Sequence, residues 1–379
     1  MSNPKPRLLF SIDSLQAGGA EKSILATIGY LANDWEITVV YFYAKHDLKG
    51  DFQNAQCTLV YIPLVSGYKF RQGVTALNAI IKERRIDLIV TSLYRSGIMS
   101  RIAGRQTKTP VVDTIVNDSY GRAKLDEFKG LHKLKFFAVK YLDKITAGIP
   151  VLWISNSAAT AKTMQRSLQI DPQKIKVIYR GRDVSQIPEW KAPDDAHGFH
   201  FVAAGRLVAQ KAFDDLIKAF HIVQQSYENC NLTIYGDGPQ MQRLQELVSD
   251  LGLTQKVSLS GHLPNIYNHF SEYHCLVVSS HYEGMSGLLI EAHIAGMPIV
   301  ASNISMNKEA SVSENSIRFY EVGDYQALAE TMSETIEHFD YSASQKATTR
   351  NQAIEKYNLA VVAEQYHSVL VKALSSFKT

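Results

Sequence analysis

The amino-acid sequence predicts an α/β protein made of two doubly wound, Rossmann-like domains that face each other across a cleft. Strand-like apolar runs alternate with helical stretches in both halves of the chain, which is typical of parallel sheets covered on both faces by helices. A polar segment over residues 183–198, with two prolines and little apolar periodicity, separates the halves. We therefore predict an N-terminal domain over residues 1–182, and a C-terminal domain over residues 183–361 that begins with an interdomain linker.

The strands follow one another in order along each half of the chain. In the first half they are predicted at residues 8–12, 36–43, 58–63, 87–93, 111–116, 151–157 and 175–179. In the second half they are predicted at residues 199–204, 232–235, 257–260, 275–279, 299–302 and 317–320. A final helix over about residues 362–379 carries one apolar stripe, formed by Val362, Tyr366, Val369 and Ala373. This helix can pack on either domain, and a return to the N-terminal domain is expected.

The composition is that of an ordinary globular protein, and it limits the possible functions. With 45% hydrophobic and 20% charged residues among 379, the chain is long enough for two cores. A formal net charge of +3 gives no general case for nucleic-acid binding. The widely spaced Cys57, Cys230 and Cys275 are expected to be reduced packing residues rather than disulfides or metal ligands. No apolar run approaches transmembrane length, so a cytoplasmic protein is expected.

The most informative motif joins a buried strand to a helix predicted over residues 287–295. Amide N–H groups at the start of that helix have no intrahelical acceptor, so they can bind a phosphate together with the helix dipole. The amides concerned belong to Met285, Ser286, Gly287 and Leu288. Glu283 precedes this turn and Glu291 follows it by one helical turn, so both carboxylates can accept hydrogen bonds from sugar hydroxyls. Taken alone, the pattern also fits a loop with two solvated glutamates.

Two further turns carry chemistry at strand ends. Gly18 and Gly19 follow the first strand, and glycine lets backbone amides approach a phosphate or sugar closely. Their spacing is not the dinucleotide-binding fingerprint, and a plain tight turn is the alternative. Gly205 and Arg206 follow the first strand of the second half, with Lys211 five residues on. These two cations can neutralise charge developing on a leaving phosphate, although a solvated pair is also possible.

Two glycine turns follow the next strands of the second half. Gly236 lies in one of them and can be a structural elbow. Gly261, His262 and Leu263 form the other, whose backbone can hydrogen-bond a nucleobase edge. His262 is more typical of a turn residue than of a catalyst.

Taken together, these motifs resemble those of family 4 retaining glycosyltransferases, which have the B-type fold of two Rossmann-like domains. The resemblance covers essentially the whole chain and includes the segment Ala295-Gly296-Met-Pro298. It implies that Arg206 and Lys211 bind the diphosphate of a nucleotide-sugar donor, that Glu291 holds the ribose and that Glu283 contacts the transferred sugar. It also implies that the amides of residues 285–288 bind the distal phosphate, and that the turn at residues 261–263 lies beside the base. No metal ion is needed for these roles.

The sequence departs from the family pattern at three places. A histidine common after the fifth strand is replaced by Val116, so Asn117 or Asp118 substitutes for it, the alignment is shifted, or catalysis is lost. The segment Arg180-Gly181-Arg182-Asp183 stands where relatives commonly have an Asn-Gly pair before an apolar residue and Asp, and we assign Arg180 and Arg182 to the acceptor side. Ala212 replaces a glycine that often follows the lysine, which we interpret as a minor change because alanine fits a helix start.

The acceptor side of the first half is less informative. Tyr94 and Arg95 follow a strand and are candidates for binding acceptor hydroxyls or phosphate by position alone. A helix is predicted over residues 124–145, with a core face formed by Leu125, Phe128, Leu131, Leu134, Ala138, Leu142 and Ile145. Its lysines are Lys124, Lys129, Lys133, Lys135, Lys140 and Lys144, with Phe136 and Phe137 among them. This basic pattern suits an anionic membrane surface, a lipid-diphosphate acceptor or an ordinary solvated face.

The sequence therefore predicts a metal-independent, retaining glycosyltransferase without a cofactor. It is expected to move a sugar from a nucleoside-diphosphate sugar, with a UDP-sugar as the first candidate donor, to a hydroxyl of a glycan or lipid-linked acceptor. Bacterial surface-polysaccharide assembly is the expected setting, with possible contact with the inner membrane surface and no nucleic-acid partner. One alternative is a nucleotide-sugar epimerase, for which His262, His281 and His293 are available but form no recognisable pair. Another is a catalytically silent partner subunit, motivated by Val116. An NAD-dependent dehydrogenase is disfavoured by the glycine spacing.

Overall fold

The computed structural model describes residues 4–64, 69–121, 130–194, 198–338 and 341–378. The chain divides into two compact units. Unit 1 contains Met1–Gly181 and Leu359–Thr379, and unit 2 contains Arg182–Asn358. Each unit has its own parallel sheet and its own hydrophobic core.

The sheet of unit 1 has seven strands in the order β3-β2-β1-β4-β5-β6-β7. All neighbouring strands run parallel; Leu8 of β1, for example, lies opposite Ile37 of β2 and Leu88 of β4. The strands are β1 (Arg7–Ile12), β2 (Glu36–Tyr41), β3 (Thr58–Tyr61), β4 (Leu88–Ser92), β5 (Val111–Ile115), β6 (Leu152–Ser155) and β7 (Ile175–Val177).

The helices of unit 1 connect these strands and cover the sheet. They are α1 (Gly19–Leu31), α2 (Lys49–Asn54), α3 (Phe70–Glu83), α4 (Tyr94–Thr107), α5 (Gly130–Thr146), α6 (Ala158–Leu168) and the closing α13 (Leu359–Lys378). Val362, Leu370 and Ala373 of α13 join the core cluster that contains Phe10 and Trp35. The apolar stripe of the closing helix therefore packs within unit 1.

Unit 2 repeats the architecture with six parallel strands in the order β10-β9-β8-β11-β12-β13. The strands are β8 (Phe199–Ala204), β9 (Cys230–Tyr235), β10 (Val257–Leu259), β11 (Cys275–Val278), β12 (Ile299–Ser302) and β13 (Ile317–Tyr320). The helices are α7 (Phe213–Ser226), α8 (Met241–Asp250), α9 (Gly287–Ala295), α10 (Ser305–Ala310), α11 (Tyr325–Glu337) and α12 (Ala343–Tyr357). The predicted fold class of two doubly wound parallel-sheet domains is confirmed.

The strand orders fix where a ligand can bind in each unit. The order reverses between β1 and β4 in unit 1, and between β8 and β11 in unit 2. In open α/β sheets ligands bind beyond the carboxyl ends of the strands at such switch points. The turns that begin at Gly18, Tyr94, Gly205 and Glu283 all follow these four strands.

The segment predicted as a linker packs on unit 2 in its described part, residues 183–194. The side chain of Trp190 is buried, its backbone N–H donates to Ala295 O at 2.8 Å, and its indole N–H donates to Tyr273 O at 2.9 Å. Cys230 and Cys275 are buried with free thiols, and Cys57 is half-buried and also free. No helix of the described ranges is both long and apolar enough to cross a bilayer.

The core face predicted for α5 is wrong. Leu134, Ala138, Leu142 and Ile145 are exposed, whereas Val139 and Asp143 are buried. Predicted members Leu125 and Phe128, like Lys124 and Lys129, lie outside the described residues, and the side chain of Leu131 is not described. The opposite face is turned inward because it carries Asp143, which pairs with a buried arginine of unit 1.

Candidate functional site

Three strand-end turns of unit 2 form one hydrogen-bonded platform. The N–H of Gly205 donates to Tyr235 O at 2.9 Å, and that of Gly236 donates to Gly261 O at 2.7 Å. The N–H of Leu207 donates to Asp237 O at 2.9 Å. A Cβ atom at Gly236 would overlap the carbonyl oxygen of Gly205. Glycine is therefore required there, because the turns pack backbone against backbone.

Lys211 ends a single 3-10 turn, Ala209–Lys211, and is followed by a residue with a strained backbone. Ala212, fully buried, has φ of +50°, the left-handed conformation that favours glycine. The expectation that Ala212 is a minor change because alanine fits a helix start is therefore wrong in its reason. Strain at this position is maintained by the surrounding packing and lies beside a predicted catalytic lysine.

The Nζ atom of Lys211 forms an ion pair with Oε1 of Glu283, which is 7% exposed. The same carboxylate oxygen accepts a hydrogen bond from Ser280 Oγ at 2.7 Å. Ser279 Oγ donates to Lys211 O at 2.7 Å and ties the two loops together. The structure thus brings the lysine and the first glutamate of the sequence motifs into one buried pair.

Helix α9 begins directly after this pair. Ser286 is its N-cap, and its side-chain oxygen accepts from the N–H of Leu289 at 3.4 Å. The N–H groups of Gly287 and Leu288 belong to the first turn, which has no intrahelical acceptor. Met285 is buried beneath the turn. The nine-residue helix therefore presents a positive dipole end beside Lys211 and Glu283.

A second ion pair lies one turn along the same helix. Glu291 Oε1 accepts from Arg182 Nε at 2.7 Å, and both side chains are about four-fifths buried. The sequence assigns Arg182 to the acceptor side, whereas the structure places it against the residue predicted to hold the ribose. Both predicted sugar-binding carboxylates are thus paired with cations.

The remaining predicted donor residues are more exposed. The side chain of Arg206 is exposed and makes no hydrogen bond or ion pair within the described residues. His262 is exposed and Leu263 half-buried beyond Gly261, whose φ is +71°. These positions leave the guanidinium and the turn available to an incoming ligand.

The sequence analysis missed one pair formed by a histidine and an aspartate. His281 Nε2 lies 3.0 Å from Asp215 Oδ2, and this hydrogen bond raises the pKa of His281 above 6.5. His293 is fully buried, which lowers its pKa to about 3. The expectation that neither histidine belongs to a pair is thus wrong for His281, while His293 is enclosed in the core.

Unit 1 brings the first glycine turn and a predicted acceptor arginine together. A Cβ atom at Gly19 would lie 2.9 Å from Arg180 Nη1, and one at Gly18 would collide with the Glu21 carboxylate. Burial raises the pKa of Glu21 to about 6. The turn therefore combines a guanidinium with a carboxylic acid that titrates near neutrality.

The other side of this switch point carries Tyr94 and Arg95 at the start of α4. The Arg95 guanidinium lies 5.3 Å from the Tyr94 ring centre. Asp13 Oδ1 accepts from the N–H of Ser96 at 2.8 Å, and burial raises the pKa of Asp13. Leu93, between β4 and α4, has φ of +75°, which is strained for a residue other than glycine.

Three polar side chains that the sequence analysis missed line a cavity of about 40 Å³ in unit 1. Ser92 Oγ, Thr114 Oγ1 and Asn156 Oδ1 have no hydrogen-bond partner within the described residues. Asn156 Nδ2 donates to Val116 O at 3.0 Å. The sequence signal that could have predicted these residues is the presence of small polar residues at the carboxyl ends of neighbouring strands. A ligand hydroxyl or a water can satisfy these groups.

Asn117 is exposed, and Asp118 lies partly buried in the turn that ends at Gly121. Burial raises the pKa of Asp118. Among the described residues, no group of three or more His, Cys, Asp or Glu side chains is placed to hold a metal ion.

Two family models match nearly the whole chain. The model described as Glycosyltransferase Family 4 matches residues 17–186, and that described as Glycosyl transferases group 1 matches residues 189–352. The chain belongs to glycosyltransferase family 4. The family resemblance inferred from the motifs is thereby confirmed.

This family 4 glycosyltransferase is similar to proteins whose names state an activity. The UDP-Gal:alpha-D-GlcNAc-diphosphoundecaprenol alpha-1,3-galactosyltransferase of Escherichia coli is 27% identical over 258 residues, which are 64% of each chain. The N-acetylgalactosamine-N,N'-diacetylbacillosaminyl-diphospho-undecaprenol 4-alpha-N-acetylgalactosaminyltransferase of Campylobacter jejuni is 22% identical over 370 residues, 94% of this chain and 97% of that one. The matched region covers 61%, 48% and 64% of the length of three relatives, which is less than two thirds of each.

Solved structures share the fold over the whole chain. Anabaena Alr3699/HepE in complex with UDP matches with a TM-score of 0.82 at 18% identity, covering 97% of this chain and 100% of that one. At this identity the likeness shows the fold, which is the two-domain B-type fold of glycosyltransferases.

Proposed function

We propose that this protein transfers a sugar from a UDP-sugar to a hydroxyl of a glycan or lipid-linked acceptor in the assembly of bacterial surface polysaccharide or lipopolysaccharide. The observation that carries the proposal is the N-terminus of α9, with the Lys211–Glu283 and Arg182–Glu291 pairs beside it. The name of the Escherichia coli relative gives a UDP-sugar donor and a diphosphoundecaprenol-linked acceptor, and HepE was solved with UDP. A cytoplasmic location belongs to the same proposal.

The donor diphosphate would bind where cations and helix amides converge. Lys211 and Arg206 neutralise the phosphate charge, and the first-turn amides of Gly287 and Leu288 donate to the distal phosphate. Glu291 then accepts from ribose hydroxyls and Glu283 from hydroxyls of the sugar. These cations supply the positive charge that the departing diphosphate requires, so the proposed reaction needs no metal ion.

The proposed transfer retains the configuration at the anomeric carbon. The bond from that carbon to the diphosphate breaks, the acceptor oxygen forms a new bond on the same face, and its proton passes to the departing phosphate. Glu283 already holds Lys211 and accepts from Ser280, so it is assigned to positioning rather than to nucleophilic attack. On the acceptor side we assign Tyr94, Arg95 and Arg180 to acceptor binding, and Asn117 or Asp118 to the role of the missing histidine.

The first test is thermal unfolding of the protein with UDP-, GDP-, ADP- and TDP-sugars. A ligand that binds only the folded state at a hundred times its Kd stabilises that state by about 2.7 kcal/mol. We expect stabilisation by UDP-sugars that is lost in Lys211→Ala. Lys256→Ala is the matched control, because Lys256 precedes the amino-terminal end of β10, whereas Lys211 follows the carboxyl end of β8 in the same parallel sheet.

The second test measures transfer and its stereochemistry. With a UDP-sugar that binds, Lys211→Ala and Arg206→Ala should each lower turnover by on the order of a hundredfold or more. The anomeric proton of the product, followed by NMR in the presence of a chelator, should show retained configuration and undiminished rate. Near-normal turnover in both variants would refute the assignment of the phosphate-binding cations.

A further inference from the structure

Helix α5 exposes an apolar face that its own unit does not cover. Leu134 is 67% exposed, Tyr141 64% and Ile145 57%. Their spacing of seven and four residues places them on one side of the helix. Phe137 and Leu142 flank this row and are also exposed. We call these five residues the outer face of α5.

The opposite face of α5 is fixed in unit 1 by buried polar contacts. Arg101 Nη1 donates to Asp143 Oδ1 at 2.6 Å and to Thr146 Oγ1 at 3.0 Å. Tyr120 OH donates to the second carboxylate oxygen of Asp143 at 2.6 Å. Arg101 and Asp143 are both 2% exposed. Arg101 Nε also pairs with Asp113 at 2.6 Å. Rotating the outer face inward would remove Asp143, one of the two buried carboxylates that hold the arginine, so the orientation is enforced rather than accidental.

A row of lysines runs beside the outer face. Lys133, Lys140 and Lys144 repeat the same spacing of seven and four residues, one position before each apolar residue of the row. Lys135 lies on the other border. The sole acidic residue of α5 is Asp143, which is buried and paired. The exposed surface of the helix is therefore apolar in the middle and positive at its borders.

The positive apolar surface continues at the C-terminal end of α5. Ile145 also lines an open groove of about 630 Å³, together with Ile149, Arg105 and Lys108. Phe377 of α13, which is 46% exposed, lines the same groove. Two cations beside an apolar groove can hold an anionic headgroup at the edge of the outer face.

We propose that the outer face of α5 and the adjoining groove bind the surface of an anionic phospholipid bilayer. A helix that lies in the interface buries its apolar side chains at the level of the acyl chains, while bordering lysines reach the headgroups. Each lysine near an anionic surface adds to the attraction, and the acidic residue within α5, Asp143, is buried and already paired with Arg101. This inference concerns where the protein sits and does not depend on the transfer reaction.

The experiment is sedimentation of the full chain with vesicles made of phosphatidylcholine alone or mixed in equal parts with phosphatidylglycerol. The vesicles contain no acceptor, so binding is read without any enzymatic step. We expect binding to the anionic vesicles that weakens with added salt. Lys133→Gln with Lys144→Gln should weaken it by about 25-fold, about fivefold for each lysine. Leu134→Ser with Ile145→Ser should weaken it by on the order of a hundredfold.

Two matched controls carry equivalent substitutions at exposed residues of unit 1 outside α5. Val361→Ser with Val371→Ser alters two residues that are 46% and 45% exposed on α13. Lys49→Gln with Lys162→Gln removes two exposed lysines of unit 1. Both controls should bind anionic vesicles like the wild type. Absence of wild-type binding, equal binding to both vesicle types, or equal losses in test and control variants would overturn the proposal. Thermal unfolding should show that all variants fold, since every altered side chain is exposed.

Discussion

The Lys211–Glu283 pair gives the sharpest prediction about how the donor-binding turn is held together. In Lys211→Met the Glu283 carboxylate, with only 9% of its side chain exposed, keeps Ser280 as a donor but loses its cation. Removing one partner of a buried pair costs about 3–5 kcal/mol. Since the Lys211 side chain is 22% exposed, we expect the lower end, a loss of about 3 kcal/mol.

The double variant separates the pair from its members. Glu283→Gln should cost about 1 kcal/mol, because the remaining lysine can turn to solvent and the amide oxygen can still accept from Ser280. Lys211→Met with Glu283→Gln should cost about 1–2 kcal/mol rather than the sum of about 4, a coupling of about 2–3 kcal/mol.

Urea unfolding of unit 2 is the assay. Trp190 is buried in unit 2, while the other two tryptophans, Trp35 and Trp153, belong to unit 1. A common background with Trp35→Phe and Trp153→Phe therefore makes fluorescence report on unit 2, and the free energy of unfolding follows by linear extrapolation. Losses that add within about 0.5 kcal/mol would refute the reasoning, because they would show that the two side chains do not interact.

Three further predictions follow from strained or titrating residues. The pKa of Glu21 is raised from 4.5 to about 6, so its contribution to stability is fully present below pH 4.5 and lost as pH rises through about 6. Denaturant unfolding of Glu21→Gln and wild type should therefore be compared below pH 4.5 and above pH 6. Between these two pH values the free energy of unfolding of the variant should rise by about 2 kcal/mol relative to that of wild type. A difference between the two proteins that does not change with pH would contradict this. The pKa of His281 is raised above 6.5 in the folded protein, so its contribution to stability is fully present below pH 6.5 and is lost as the pH rises through the folded-state pKa. His281→Asn should therefore destabilise the protein in acid but have little effect at mildly alkaline pH. At Ala212, glycine should change the free energy of unfolding by less than about 1 kcal/mol, since relief of left-handed strain offsets the loss of a buried methyl group, whereas Ala212→Val should cost more than about 2 kcal/mol. Equal stability of the glycine and valine variants would refute the strain argument.

The central strands were predictable because they are apolar and buried on both faces, as in β4 and β11. Each of the thirteen predicted strands is present in the structure, with ends that differ by at most two residues. Continuous apolar runs between helices have little other explanation in an α/β chain. The turns after β1, β4, β8 and β11 lie at the switch points because of the strand order in each sheet.

The face of α5 could not be read from apolar spacing. The helix carries an apolar row on each of two sides, and the one facing the sheet is interrupted by Asp143 and Thr146. These polar residues are buried because Arg101 on α4 supplies their partner, and a partner more than forty residues away leaves no local signal. The same reason explains why the pairs His281–Asp215 and Arg182–Glu291 were missed.

At the proposed donor site of unit 2, diphosphate binding would be an exchange of partners. Glu283 neutralises Lys211, so an arriving diphosphate would have to compete with a carboxylate already in place. Removing the negative charge should therefore strengthen the binding of UDP, which lacks the transferred sugar that residue 283 is proposed to contact. We expect Glu283→Gln to bind UDP about 3- to 30-fold more tightly, a fraction of the Coulomb energy of one nearby charge. Calorimetric titration measures this, with Glu246→Gln on the exposed face of α8 as the matched control. Weaker UDP binding by Glu283→Gln would show that the carboxylate positions Lys211 for the phosphate instead of competing with it, and the proposed role of Glu283 would then shift from sugar contact to organisation of the cation.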